Sequence, residues 1–217
     1  MADHNQNEQL ISYLPFHTKE FWDKFYKDND QTNINWYFDL TKIKEFDIKE
    51  NISTEDELLI VGPGLSSALD YFKNNGYDKI EMYDFSEQLV KIIKNRYDLN
   101  EDSSWDIECK DITEVNDDEI FDKIIDKGCL DCLLSDPYFG ESSFVKALNN
   151  LVKSLVKNGV LFYFSDGKIE DRINLFYKIS GIKYKVTTID MNTDMKEEYK
   201  EFNTSDNVYY LYTITKI

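Results

Sequence analysis

A four-residue apolar run, Leu58–Val61, leads into a turn with two glycines, Gly62 and Gly64, and this feature most constrains the fold. Apolar residues then recur at positions 65, 68, 69 and 72, which is the spacing of one helical face. An uninterrupted apolar run followed by a glycine turn and an amphipathic helix is typical of a parallel strand that is buried on both faces. The chain must therefore contain a parallel α/β unit here.

The same alternation of strand and helix continues along the chain. Strands are predicted at 58–61, 79–83, 105–109, 121–126, 160–164, 184–189 and 208–215. Helices are predicted at 18–27, 41–48, 65–72, 89–97, 144–155 and 169–179. The expected fold is α/β, Rossmann-like, with a seven-stranded, mostly parallel sheet, helices on both faces and an antiparallel strand pair at the C-terminal edge. Residues 1–17 are expected to form a flexible tail, 18–56 an N-terminal cap and 57–217 the α/β domain.

The charge of the chain bears on its partners. With 42 acidic and 25 basic residues the formal net charge is −17, and only two residues are arginine, Arg96 and Arg172. Nucleic-acid backbones are neutralised by lysine and arginine, so a nucleic-acid partner is not expected. A basic protein or a cationic small molecule fits the charge better.

Compartment and metal content follow from the N-terminus and the cysteines. The first residues lack a charged end followed by an apolar stretch, and no apolar run approaches the ~20 residues of a membrane span. Three cysteines are an odd set, so a reducing, cytoplasmic location without a membrane partner is expected. Cys129 and Cys132 have the spacing of a metal pair, but a zinc site needs two more ligands, for which only Cys109, His4 and His17 remain. Packing thiols, and no metal, are therefore expected.

The glycine turn predicts a ligand loop. Asp84 lies twenty residues after Gly64, at the end of the second predicted strand, where a carboxylate can accept both ribose hydroxyls. Ser67 stands where a dinucleotide loop has its third glycine, and no basic residue near the turn would bind a pyrophosphate. S-adenosylmethionine carries a sulfonium and no phosphate, so it is favoured over a nicotinamide cofactor. Asp111, after the third strand, is placed to accept from the adenine amino group.

Four sequence blocks also resemble a known family. They are FWDKFY with a downstream Trp36-Tyr37; LLIVGPGLSSAL; IEMYDFSEQLV; and WDIECKDIT followed by FDKIIDKGCLDCLL. They resemble the class I, seven-strand methyltransferases of the methyltransferase-like group that methylates lysines of translation elongation factor 1-alpha. The resemblance covers roughly residues 18–217, which makes 57–217 the methyltransferase domain and 18–56 its lid.

The resemblance implies roles for individual positions. The cofactor-binding residues expected from it and from the glycine loop are Trp22, Tyr26, Trp36, Gly62, Gly64, Asp84, Phe85, Asp111, Ile112 and Lys127. It implies a protein lysine as the acceptor, with elongation factor 1-alpha as the example, and a basic protein substrate also fits the charge. The catalytic base is not identified, and a monomer is expected. The chain departs from the family at Pro63-Gly64-Leu65-Ser66, where Cys-Gly-Asn-Ser is usual, and at Cys129, where threonine is common.

Several alternatives stay open. The same cofactor site would serve a small-molecule methyltransferase or a non-catalytic module that binds the donor. Asp126 and Asp131 could meet a substrate ammonium or be structural. The segment Asp136-Pro137-Tyr138-Phe139 is similar to the Asp-Pro-Pro-Tyr motif of amino-methyltransferases but lies ten residues beyond Asp126, so a turn into the next helix is favoured. Ten acids between Asp98 and Glu119 form either a solvated surface or a docking surface for a basic protein.

Overall fold

The computed structural model of the chain describes residues 14–30, 33–191 and 208–217. Within these ranges seven strands form one sheet in the order β3-β2-β1-β4-β5-β7-β6. The strands are β1 Leu58–Val61, β2 Ile80–Asp84, β3 Trp105–Cys109, β4 Phe121–Lys127, β5 Leu155–Ser165, β6 Ile182–Asp190 and β7 Val208–Lys216. The first five are parallel, and β7 runs antiparallel to both of its neighbours, β5 and β6. The predicted fold class is confirmed.

Helices cover both faces of the sheet. They are α1 Lys19–Asp28, a single 3-10 turn Leu40–Lys42, α2 Ile48–Asn51, α3 Ala68–Asn74, α4 Glu87–Arg96, α5 Cys129–Leu133, α6 Gly140–Ser154 and α7 Ile169–Phe176. Leu58 and Ile60 pack in a core with the N-terminal segment, α3 and α4. Leu59 and Val61 pack in a second core with α6 and α7. Because all four side chains of β1 are buried, its sequence is apolar throughout.

The helix predicted at 41–48 is wrong. This segment holds the 3-10 turn, an isolated bridge residue at Ile43 and only the first residue of α2. The Asp39 carboxylate accepts from the amide of Thr41, and the Asp47 carboxylate accepts from the amide of Lys49. Each aspartate therefore begins a short helix of its own, and such local side-chain bonds compete with one continuous helix.

Two helices begin directly after strands at the edge of the sheet where the parallel strands end. The Ser86 hydroxyl, directly after β2, accepts from the amide of Leu89 and caps α4. The Asp126 carboxylate, near the end of β4, accepts from the amides of Cys129 and Leu130 and caps α5. Both β2 and β4 thus turn into a helix within a few residues at this edge. No helix in the described ranges is both long and apolar enough to span a membrane.

Candidate active site

A cavity of about 430 Å³ lies at the carboxyl ends of the parallel strands, beneath the N-terminal segment. This edge is where open α/β sheets bind ligands. All ten predicted cofactor-binding residues line it: Trp22, Tyr26, Trp36, Gly62, Gly64, Asp84, Phe85, Asp111, Ile112 and Lys127. The fold therefore brings together in one place positions that the sequence spreads over 106 residues. Their role as cofactor contacts stays a prediction.

The glycine turn after β1 requires glycine at its first position. Gly62 has φ +55°, and a Cβ added there would lie 2.7 Å from the Cβ of Cys129, the first residue of α5. Gly64 has φ +56° and faces the Tyr26 hydroxyl, which would lie 3.6 Å from an added Cβ. Both backbone angles are in the left-handed region that L side chains rarely adopt. The turn therefore lets α5 and Tyr26 approach the backbone closely.

The two carboxylates after β2 and β3 differ in their surroundings. Asp84 is 7% exposed and accepts one hydrogen bond, of 2.8 Å, from the amide of Ser86. Burial, with a smaller contribution from Asp23, raises the pKa of Asp84 to about 7. Asp111 is exposed and accepts from the amide of Thr113 at 2.8 Å. The cavity thus has a buried, weakly solvated carboxylate on the β2 side and a solvated one on the β3 side.

Helix α1 closes the cavity from above and docks on the start of α4. The Asp23 carboxylate accepts from the Ser86 hydroxyl at 2.6 Å and from the amide of Gln88 at 3.3 Å. On the cavity side, the Trp22 indole stacks on Tyr26 and meets Trp36 edge-on, each with ring centroids 5.5 Å apart. The aromatic wall is therefore held in place by polar contacts that a neighbouring residue of the same helix makes with the start of α4.

Lys127 fastens the lid to the sheet. Its ammonium donates a 2.6 Å hydrogen bond to the carbonyl oxygen of Trp36, and it lies 6.0 Å from the ring centroid of Phe38. Burial lowers the pKa of Lys127 to about 8, although Asp39 and Asp126 oppose this effect. The ammonium thus has a partner within the lid, while the side chain also lines the cavity.

A polar network that the sequence did not predict forms the β4–β5 end of the cavity. Arg172 of α7 donates to the Asp131 carboxylate from Nη2 at 2.7 Å and from Nε at 3.1 Å. The hydroxyl of Tyr37 donates to the other oxygen of Asp131 at 2.8 Å, and the Tyr163 hydroxyl also donates to this carboxylate. Asp166, directly after β5, lines the same end. The scarcity of arginine was the one sequence signal that could have singled out Arg172.

Three residues from the end of the predicted tail, Leu14, Phe16 and His17, also belong to the site. Phe16 packs edge-on against Trp36 with ring centroids 5.8 Å apart, and its carbonyl accepts from the Trp22 indole at 2.6 Å. His17 donates from its backbone amide to the Ser135 hydroxyl at 2.9 Å. All three line the cavity, whereas residues 1–13 of the predicted tail lie outside the described residues.

The remaining candidates have local structural surroundings. Asp126 is fully buried, caps α5 and does not line the cavity; burial, then the charge of Asp131, raises its pKa well above the usual value. The Asp136 carboxylate accepts from the amides of Tyr138 and Phe139 and leads into α6, so the predicted turn is confirmed.

The three cysteines are free thiols; Cys129 and Cys132 are half-buried at the cavity, and Cys109 is exposed. Among the described residues, no cluster of three or more histidine, cysteine or acidic side chains could hold a metal ion.

Comparison with known proteins places this site in context. No protein-family model matches the chain. The eEF1A lysine and N-terminal methyltransferase of Mus musculus is 28% identical over 132 residues, which are 58% of this chain and 19% of that protein. EEF1A lysine methyltransferase 4 of Mus musculus is 26% identical over 144 residues, 63% of this chain and 54% of that protein. The chain therefore spans between a fifth and about half of the length of these curated relatives.

Solved structures share the fold at low sequence identity. A chain of the complex between the Haloferax volcanii Trm112 methyltransferase activator and a methyltransferase aligns with a TM-score of 0.56 and 14% identity, over 89% of this chain and 92% of that chain. The 1,6-didemethyltoxoflavin-N1-methyltransferase of Burkholderia thailandensis was solved with S-adenosylhomocysteine. It aligns with a TM-score of 0.53 and 12% identity, over 74% of this chain and 71% of that chain. With the observed strand order, these likenesses show that the chain has the class I methyltransferase fold.

Proposed function

From the class I methyltransferase fold, we propose that the protein is an S-adenosylmethionine-dependent methyltransferase that methylates a lysine side chain of a basic protein. One observation carries the proposal: the ten residues expected at the cofactor all line a single cavity at the carboxyl edge of the sheet. In this proposal residues 57–217 are the methyltransferase domain, 18–56 its lid and 1–17 a tail whose last residues line the cavity.

The chemistry of the cavity fits this cofactor better than a phosphate-bearing one. Three cations line it, and each is engaged by the described residues around it: Lys110 by Glu81 and Glu108, Lys127 by the Trp36 carbonyl, and Arg172 by Asp131. A phosphate-bearing ligand would thus find no free cation among the described residues of the cavity, and only the backbone amides of the glycine turn could bind it. A ligand without phosphate needs none.

The residues that would hold the cofactor divide by strand. The Asp84 carboxylate would accept from the ribose hydroxyls, Asp111 and Ile112 would contact the adenine, and the Gly62 turn would let the backbone come close to the ligand. The aromatic wall of Trp22, Tyr26 and Trp36 shields a sulfonium from water and attracts it by cation–π interaction.

Methyl transfer then depends mainly on positioning and exclusion of water. When bound, S-adenosylmethionine supplies a methyl group on a sulfonium. Once the acceptor ammonium had lost one proton to solvent, the nitrogen lone pair would form the new N–CH₃ bond, and the electron pair of the broken S–CH₃ bond would stay on sulfur. S-adenosylhomocysteine and a methylammonium would be the products.

A protein acceptor is supported by the relatives and by charge. Both Mus musculus relatives are named for lysine methylation of eEF1A, which makes elongation factor 1-alpha the first acceptor to test. A net charge of −17 favours association with a basic partner and disfavours nucleic acid. The proposal includes a monomer that acts in the cytoplasm.

Two measurements test the function. Calorimetry should detect binding of S-adenosylmethionine to the wild-type protein, and absence of binding at ~100 μM, well within the usual range of substrate constants, would contradict any donor-dependent function. Labelled donor should then be incubated with the protein and a cell extract. Label on a band identified as elongation factor 1-alpha supports the protein-lysine proposal, and label only in small molecules indicates the small-molecule alternative. Donor binding without any labelled product supports the non-catalytic alternative.

A further inference from the structure

The polar end of the cavity lies on the side of the sheet away from the predicted adenosine contacts. Asp84 and Asp111 follow β2 and β3, whereas Asp131 and Asp166 follow β4 and β5. Since β1, with the glycine turn, lies between these two pairs of strands, a donor whose ribose and adenine lie at β2 and β3 points its other end toward β4 and β5. The acceptor must therefore be bound where the polar network stands.

Within this network Asp131 is already neutralised. Its side chain is 8% exposed and pairs with Arg172, whose side chain is 11% exposed. The hydroxyls of Tyr37, Tyr163 and Ser165 also donate to it, two of them over 2.8 and 2.9 Å. A carboxylate with a guanidinium and three hydroxyls has no capacity left for a further cation.

Asp166 is in the opposite situation. It lines the same cavity but is exposed, and none of the ion pairs among the described residues includes it. The Tyr37 hydroxyl is within hydrogen-bonding range, yet its single proton is donated to Asp131. The polar network thus holds two carboxylates, those of Asp131 and Asp166, and one guanidinium, that of Arg172. Its charges are therefore short of one positive charge. Partial desolvation at the cavity wall, followed by the charge of Asp131, raises the pKa of Asp166, although Arg172 opposes this effect.

The backbone of Tyr37 has a strained conformation that the surrounding residues must maintain. Its φ of +65° is in the left-handed region, which costs a tyrosine about 1–3 kcal/mol and persists only when the surroundings impose it. The ring packs against Tyr209, with centroids 5.0 Å apart, and would lie 3.1 Å from a Cβ at Gly128. The strained backbone therefore places the Tyr37 hydroxyl within hydrogen-bonding range of both Asp131 and Asp166.

We propose that Asp166 binds the amino group of the acceptor in its ammonium form, with the Tyr37 hydroxyl beside it, and so selects an alkyl amine over an alcohol or a carboxylate. The inference rests on the proposed function, because it takes the donor to lie at β2 and β3. It deepens that function by naming the residue that recognises the acceptor. The ammonium supplies the missing charge, and the charge-assisted hydrogen bond orients its nitrogen toward the donor.

The test uses n-butylammonium as a stand-in for the lysine side chain and n-butanol as its uncharged counterpart. Each is titrated into protein saturated with S-adenosylhomocysteine and followed by ligand-observed NMR. Wild-type protein should bind n-butylammonium and not n-butanol. Asp166→Asn should weaken n-butylammonium binding by about 10-fold or more, the factor expected of a charge-assisted hydrogen bond, with unchanged affinity for S-adenosylhomocysteine. Asp166→Glu should keep most of the binding.

The matched control is Glu170→Gln, which removes the same charge from the exposed first turn of α7. It should bind n-butylammonium as the wild type does. Equal binding by Asp166→Asn and wild type, or equal weakening by both neutralising variants, overturns the inference while the proposed function stands. Failure of S-adenosylhomocysteine to bind wild-type protein overturns the proposed function itself, and this inference with it.

Discussion

Replacing Asp84 by asparagine should stabilise the free protein while it destroys the proposed donor site. Asparagine has the same shape and can still accept the 2.8 Å hydrogen bond from the Ser86 amide. What it removes is a carboxylate that is only 7% exposed and has no cation beside it among the contacts of the described residues. The variant therefore isolates the effect of the buried charge.

The magnitude follows from the pKa of Asp84, which burial raises from its usual 3.8 to about 7. The folded state holds this proton more tightly than the unfolded state, so ionisation destabilises the fold increasingly as pH rises from 3.8 to 7 and by a constant amount above. At 1.36 kcal/mol per pKa unit the wild type loses about 2 kcal/mol at pH 5 and at most about 4 kcal/mol at pH 8. The Asn variant avoids this loss.

Urea unfolding at pH 5 and pH 8 measures the difference. The Asn variant should gain stability over the wild type by about 2 kcal/mol more at pH 8 than at pH 5. A gain that is the same at both pH values, or a loss at pH 8, would refute the reasoning about the buried charge.

Donor binding should show the reverse dependence. Only the ionised carboxylate accepts both ribose hydroxyls, and with a pKa of about 7 its ionised fraction rises from about 10% at pH 6 to about 90% at pH 8. Wild-type affinity for S-adenosylmethionine should therefore rise about tenfold over this interval, and the Asn variant should bind weakly at both pH values. Lys127, whose pKa is about 8, is present in both proteins, so its contribution cancels in the comparison. Equal affinity in the two proteins would contradict the assignment of Asp84 to the ribose.

Three further predictions concern other parts of the cavity. Arg172→Leu should leave the buried Asp131 carboxylate without its cation and lower the free energy of unfolding in urea by about 3–5 kcal/mol, with a smaller loss for Arg172→Lys; equal losses would contradict a charge effect. Gly62→Ala should lower the free energy of unfolding by about 2–4 kcal/mol and abolish donor binding in calorimetry, because the new methyl group would lie 2.7 Å from the Cβ of Cys129 in α5. Gly76→Ala has a similar φ but open space around it, so it should lose about 1 kcal/mol and bind donor normally. Lys127→Met should speed hydrogen exchange of lid amides 33–40 about tenfold, since the lid loses its 2.6 Å bond to the sheet; unchanged exchange would show that the aromatic wall alone holds it closed.

Much of the fold follows from patterns between near neighbours in the sequence. The four apolar residues of β1 predict a strand buried on both faces, and the spacing after Gly64 predicts a helix. Errors arose where side chains bond to nearby backbone. The spacing of apolar residues at 41–48 predicted a helix, but Asp39 and Asp47 begin two separate turns. The helix α5 gave no periodic signal because it has only five residues, and its start depends on the Asp126 carboxylate.

The candidate site divides in the same way. The sequence by itself determined the parallel α/β architecture and, with the family resemblance, ten of the residues that line the cavity. Seven of the ten lie at or just after the ends of β1 to β4, and parallel strands bring their carboxyl ends to one edge; the three aromatic residues precede β1 and came from the resemblance. Only the tertiary structure decided that Asp131 is neutralised by Arg172, 41 residues further along the chain, and that Asp166 has no ion pair of its own among the described residues. No local pattern encodes such a pairing, because it arises when the crossover connections bring a lid residue, α5, β5 and α7 within hydrogen-bonding distance of one another.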